Sequence, residues 1–146
     1  MKIESPAFKN NGLIPVDYTC DGRNVSPPLT VSDVPEGAKS MVLIVDDPDA
    51  PAGTWVHWTV WNIKPGISGI PENSCPADSV EGLTDSGSSG YGGPCPPTGT
   101  HRYFFKLYAL NSKLDIDSSA RAADIEREIR GKIIEKAELV GLYMRK

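Results

Sequence analysis

The sequence predicts a mostly β protein: a two-sheet antiparallel β-sandwich with one or two short C-terminal helices before a final strand. Three observations carry this expectation. Thirteen prolines and 14 glycines in 146 residues punctuate the chain too densely for a helical bundle. The apolar stretches between them are short and rich in β-branched and aromatic residues, as strands are. Only the segment Ser118 to Glu135 shows a helical period.

In chain order, the strands expected are Lys2–Phe8, Leu29–Ser32, Ser40–Asp46, Trp55–Ile63, Arg102–Leu110 and a last one near Glu138–Met144. Short strands with long, turn-rich connections favour two packed antiparallel sheets. Trp55–Ile63 is apolar on both of its alternating faces, which suits a central strand buried on two sides. In the helical segment Ile125, Ile129 and Ile133 recur every fourth residue after Ala122, with Arg121, Glu126, Arg127 and Arg130 on the other face. Ser118 or Ser119 can cap its start, Gly131 divides it into two short helices, and its expected role is to cover sheet edges or one end of the sandwich. Residues 84–100 form a Gly/Pro/Ser-rich stretch too long for an ordinary connection, and its adjacency to His101 marks it as functional. No repeat or linker divides the chain, so residues 1–146 are expected to form a single domain.

Bulk properties exclude several classes. Net charge is -4, from 15 basic and 19 acidic residues, and no Lys/Arg run exceeds two, so neither nucleic acid nor an anionic membrane surface is expected as partner. The longest apolar run, Met41 to Val45, is far short of the ~20 residues of a membrane helix. No apolar leader follows Lys2, and a cytoplasmic location is the working expectation. Cys20, Cys75 and Cys95 are too few for a disulfide framework, and none stands in a C-x-x-C pair. Reduced thiols dispensable for folding are the favoured reading, with one bridge between any two as the alternative.

The residues that could carry chemistry cluster at strand ends. Asp47-Pro48-Asp49-Ala50-Pro51 closes one apolar strand, and prolines 48 and 51 end its ladder and turn both carboxylates outward. The sharp reversal makes Ala50–Pro51 a candidate cis peptide. Both histidines lie in such contexts, His57 beside Trp55 and His101 at the start of the strand that carries Tyr103. Strand alternation places His101 with Tyr103 and opposite Arg102, and places His57 with Trp55, Thr59 and Trp61. A sheltered His57 needs a hydrogen-bond partner. Taken singly, each residue has an ordinary structural explanation. Together they offer imidazole N–H groups from His57 and His101, a hydroxyl from Tyr103, and backbone N–H groups at Tyr91, Gly92 and Gly93, a donor set suited to phosphate oxygens. A carboxylate near an anion is explained if Asp47 orients a histidine and keeps it protonated, or if it meets an ammonium group on the ligand.

The motifs D-P-D-A-P (47–51), W-V-H-W (55–58), G-Y-G-G-P-C-P-P (90–97) and H-R-Y-F-F-K-L-Y-A-L (101–110) occur in order, with likeness extending from Ser5-Pro6-Ala7-Phe8 to Ala137-Glu138-Leu139-Val140-Gly141. The sequence resembles the phosphatidylethanolamine-binding protein family in its compact bacterial and archaeal, Raf-kinase-inhibitor-like branch. The resemblance implies that Asp47, Asp49, His57, His101 and Tyr103 line a small anion pocket for phosphate-type head groups, with Trp55, Pro96 and Pro97 as its wall. It further implies a kinase or protease target for an inhibitory role, and a homodimer. The tight Pro97-Thr98-Gly99-Thr100-His101 connection implies a narrower mouth than in relatives with an insert there.

The first functional expectation is therefore a phosphoryl-headgroup-binding, regulatory protein that needs no cofactor. A hydrolase using the Asp/His pair is the second, although Gly87-Ser88-Ser89-Gly90 lacks the G-x-S-x-G order and the nucleophile would have to be a serine or Cys95. A two-His, one-carboxylate metal site from His57, His101 and Asp47 or Asp49 is the third.

Overall fold

The computed structural model describes residues 1–145. Nine strands and one α-helix follow in the order β1 (Lys2–Glu4), β2 (Gly12–Leu13), β3 (Leu29–Ser32), β4 (Ser40–Asp47), β5 (Trp55–Ile63), β6 (Gly69–Ile70), β7 (Val80–Glu81), β8 (His101–Leu110), α1 (Ala122–Ile129) and β9 (Ile133–Tyr143). They build a three-stranded sheet, β1-β3-β6, against a six-stranded sheet ordered β2-β9-β8-β4-β5-β7. All pairings are antiparallel except β2 with β9, where Gly12–Leu13 runs parallel to Gly141–Leu142.

β4 is the centre of the larger sheet, and every one of its residues is buried. Met41, Leu43 and Val45 face the small sheet, where they join Trp58, Val60, Phe105, Leu107, Ile3, Val31 and Ile70. Val42 and Ile44 face the other way, onto Trp61, Leu110, Ile125 and Ile129. The five-residue apolar run thus serves two cores at once, with the small sheet on one face of the large sheet and α1 on the other.

Several boundaries differ from the sequence expectation for local reasons. β1 stops at Glu4 rather than Phe8, because the Ser5 hydroxyl donates to Pro28 O and accepts from Ala7 N, and Pro6 cannot donate to a ladder. Phe8 still reaches the core, with its ring centroid 5.8 Å from that of Phe105. The amphipathic segment forms one helix. Its N-cap is Arg121, whose backbone N donates to Asp124 at 2.9 Å, while Ser119 is held by Asp117 rather than serving as the cap. Gly131 ends this helix at φ +76°, a left-handed conformation that favours glycine, and does not divide two helices. Ile133 accordingly belongs to β9, which begins five residues before the expected start and pairs with β8 along its length.

Two further expectations are corrected. No peptide bond among the described residues is cis, so Ala50–Pro51 is trans. Cys20 and Cys95 form a disulfide across 75 residues, which leaves Cys75 free and half-buried. The favoured reading of three reduced thiols is replaced by its single-bridge alternative.

Candidate functional site

Antiparallel pairing explains how residues fifty positions apart converge. β4 runs beside both β5 and β8, so its C-terminal end lies against the N-terminal ends of both: Asp47 opposes Trp55, and Asp46 opposes Phe104. The D-P-D-A-P corner, the W-V-H-W segment and the H-R-Y start of β8 therefore meet at one rim of the large sheet. A cavity of about 330 Å³ opens there, with Asp47, His57, His101 and Tyr103 in its lining and Trp55, Pro96 and Pro97 in its wall.

His57 reaches this cavity by a device that simple alternation misses. Val45 pairs with Trp58 and Asp46 with Val56, so His57 is the extra residue of a β-bulge. Instead of following Thr59 and Trp61 toward the helix side, its ring meets Tyr103 edge-on, with centroids 5.3 Å apart. Its Nδ1 donates to Gly92 O at 2.7 Å, and Gly92 N donates back to His57 O at 3.0 Å. Burial pulls the His57 pKa below its ordinary value, against the opposing pull of the Gly92 carbonyl and the carboxylates of Asp47, Asp46 and Asp85.

His101 is held differently. Its Nδ1 donates to Asp47 Oδ2 at 2.7 Å in a buried pair. Its ring stacks near Tyr103 at 6.5 Å. The Tyr103 hydroxyl is buried with no partner at good hydrogen-bond geometry, although the Asp47 carboxylate lies close by; burial, followed by the Asp47 charge and that contact, pushes its pKa well up, so it stays a protonated donor. In both histidines Nδ1 is committed, which leaves Nε2 for a ligand.

Not every expected residue joins. Asp49 is turned away from the cavity: its carboxylate accepts from Arg102 Nε at 2.9 Å, from the second guanidinium nitrogen at 2.8 Å and from Arg102 N at 2.9 Å. The Arg102 guanidinium lowers its pKa to about 2. Arg102 lies opposite His101 and Tyr103, as alternation requires. Tyr91 also leaves the site, because its hydroxyl donates to Tyr18 O at 2.7 Å and its ring packs edge-on against Trp58. Gly92 and Gly93 line the cavity, but their N–H groups are spent on His57 O and on Asn24 Oδ1. They shape the wall and do not form an anion cradle. Gly93 is required for close approach: a Cβ there would lie 2.5 Å from both Tyr18 O and Asn24 Oδ1.

Lining residues absent from the sequence expectation are Asn24, Ala50, Pro51, Val56, Thr84, Ser86 and Cys95. Asn24 carried a signal, since an Asn before a serine and two prolines suits a left-handed turn, and it sits at φ +57°. Thr84 and Ser86 carried none. No Lys or Arg among the described residues lines the cavity. No group of three or more His, Cys, Asp and Glu side chains among the described residues could hold a metal ion, and Cys95, the thiol among the nucleophiles considered for a hydrolase, is bonded to Cys20. No helix among the described residues is long and apolar enough to cross a membrane.

A sequence model of the phosphatidylethanolamine-binding protein family matches residues 4–144. A UPF0098 protein of Methanothermobacter thermautotrophicus is 49% identical over 150 residues, spanning 99% of each chain. The crystal structure of CT736 from Chlamydia trachomatis, described as a homolog of phosphatidylethanolamine-binding protein, superposes with a TM-score of 0.96 at 41% identity, over 99% of this chain and 97% of that one. YbcL of E. coli, described as a new member of the mammalian family, gives a TM-score of 0.93 at 35% identity, over 99% and 98% of the two chains.

Proposed function

The chain belongs to the phosphatidylethanolamine-binding protein family, and on that premise we propose that its cavity binds a phosphoryl-type anion and that the protein acts through binding rather than catalysis. The observation that carries this reading is the pair of histidines whose Nδ1 atoms are pinned, one by Gly92 O and one by Asp47, beside a buried Tyr103 hydroxyl without a partner. Three donors then converge on one ligand once the rings carry their second proton. Asp47 is the orienting group for His101, accepting from its Nδ1 at 2.7 Å.

Inhibition of a kinase or protease would be a consequence of such binding, with a phosphorylated or acidic segment of the target as ligand. The test is calorimetry with inorganic phosphate and phosphorylethanolamine on wild type, His57→Ala, His101→Ala and Arg102→Ala. Each histidine variant should lose a charge-assisted hydrogen bond worth ~1.5–3 kcal/mol, roughly ten- to a hundred-fold in affinity. Arg102→Ala, on the other face of β8, should bind as wild type does. Equal affinities across all four proteins would remove the site assignment.

A further inference from the structure

We propose that the Cys20–Cys95 disulfide is a redox latch on the cavity wall, and that its reduction by a dithiol loosens the wall and weakens anion binding. The effect on binding rests on the function proposed above; the loosening does not.

The wall is stitched to the loop carrying residues 18–24 by three hydrogen bonds. Tyr91 OH donates to Tyr18 O at 2.7 Å, Gly93 N to Asn24 Oδ1 at 2.8 Å, and Cys20 N to Pro94 O at 3.1 Å. All three act at or before residue 94. From Pro96 to Thr100 no hydrogen bond to another described residue anchors the chain until β8 begins at His101, and packing of the buried Pro96 ring is what remains. Three of those five residues are exposed beyond Pro97, and a Cβ on Gly99 would meet nothing within 4 Å. Yet Pro96 and Pro97 line the cavity. The bridge at Cys95 is therefore the covalent tie of the C-terminal part of the wall, beside the packing of Pro96 and Pro97.

The tie is within reach of a reductant, because Cys95 is exposed and Cys20 only half-buried. A dithiol's thiolate attacks one bridge sulfur, the S–S bond breaks, and a mixed disulfide forms as the other cysteine leaves and takes up a proton. The second thiol of the reductant resolves that intermediate and releases the remaining protein thiol. The reductant is oxidised to its own disulfide and the protein gains two protons and two electrons. The hydrogen bonds of Tyr91, Gly93 and Cys20 can still form, but without the covalent tie beside them they open more often, so the expected product is a folded protein with a mobile rim.

The experiment compares the oxidised protein, the dithiothreitol-reduced protein and the Cys20→Ser/Cys95→Ser double variant. Thiol titration first counts the free cysteines, with one expected before reduction and three after. Amide exchange reads the wall without any ligand. Exchange at Gly93 and at position 20 should quicken about tenfold or more on reduction, while Val42–Val45 in the core hold their protection. Sulfate affinity measured by calorimetry should fall about three- to tenfold, and the double variant should match the reduced protein with or without dithiothreitol. Three free thiols in protein that has been exposed to oxidant, or unchanged exchange at Gly93 on reduction, would overturn the latch. Faster exchange with equal sulfate affinity would overturn its control of binding. Faster exchange in a protein that binds sulfate in neither form would leave the latch standing and defeat the proposed anion site.

Discussion

Raising the pH should empty the cavity, and His57 determines how steeply. Its Nδ1 proton is held by Gly92 O at 2.7 Å, so the neutral ring presents an unprotonated Nε2. Burial depresses its pKa below 6.5, and the ring is neutral in the free protein at neutral pH. A neutral Nε2 repels an anion, so each bound anion must bring a proton to His57. Coupling to one proton makes affinity change about tenfold per pH unit, or ~1.4 kcal/mol. Sulfate is the suitable probe because it does not titrate in this range, whereas a phosphate monoester does so near pH ~6. Its association constant should fall about tenfold for each unit above pH ~7, and calorimetry in buffers of different ionisation heat should show about one proton taken up through His57. His57→Gln should remove that unit of slope. The same ionisation acts on stability. With the folded pKa below the unfolded value of about 6.5, the unfolded chain binds more protons, so the contribution is complete above pH ~6.5 and is lost as pH falls through that value toward the folded pKa. Added sulfate should restore part of it. Sulfate binding that is independent of pH, with no proton uptake, would refute the reasoning.

Three other outcomes follow from the same geometry. Asp49→Ala removes the bidentate pair with half-exposed Arg102 and should cost only ~0.5–1 kcal/mol in urea unfolding, with sulfate affinity unchanged, because Asp49 lies outside the cavity. Gly93→Ala forces a Cβ to within 2.5 Å of Tyr18 O and Asn24 Oδ1, and should cost ~1–3 kcal/mol and weaken sulfate binding by disturbing the wall. Reduction of Cys20–Cys95, which spans 75 residues, should cost ~2–4 kcal/mol and lower the melting temperature by about 10 °C. The reduced protein should nevertheless stay folded at room temperature, as circular dichroism can check, since the two cores are formed by residues other than these cysteines.

The central strands were legible because their signals are local. Leu29–Ser32 and Trp55–Ile63 form as their composition predicts, and β4 and β8 each gain one residue at the end that carries the site. The helix was legible through Ala122, Ile125 and Ile129, but its end was not, because Gly131 can interrupt or terminate a helix and only the pairing of Ile133 with Leu110 decides. Within the site, His101, Tyr103 and Asp47 follow from parity and strand ends. Strict alternation puts His57 on the wrong face because a bulge depends on which partner residues oppose it, and a single strand's sequence does not contain that information. By sequence, Asp49, Tyr91 and the Gly92 and Gly93 amides suit the ligand because each is a competent donor or carboxylate. Their actual partners, Arg102, Tyr18, His57 and Asn24, are set by tertiary contacts. The disulfide was equally hidden, since three cysteines allow three pairings and spacing favours none of them.

A crystal structure of the oxidised protein soaked in sulfate at mildly acidic pH, where proton uptake by His57 on binding is easiest, tests the anion site most directly. The expected result is a tetrahedral anion in the cavity within hydrogen-bond distance of Nε2 of His57, Nε2 of His101 and the Tyr103 hydroxyl, with Asp47 still on His101 Nδ1. Sulfate bound instead at Arg102 or Arg145 on the surface, with the cavity between the two histidines filled only by water, would contradict the account.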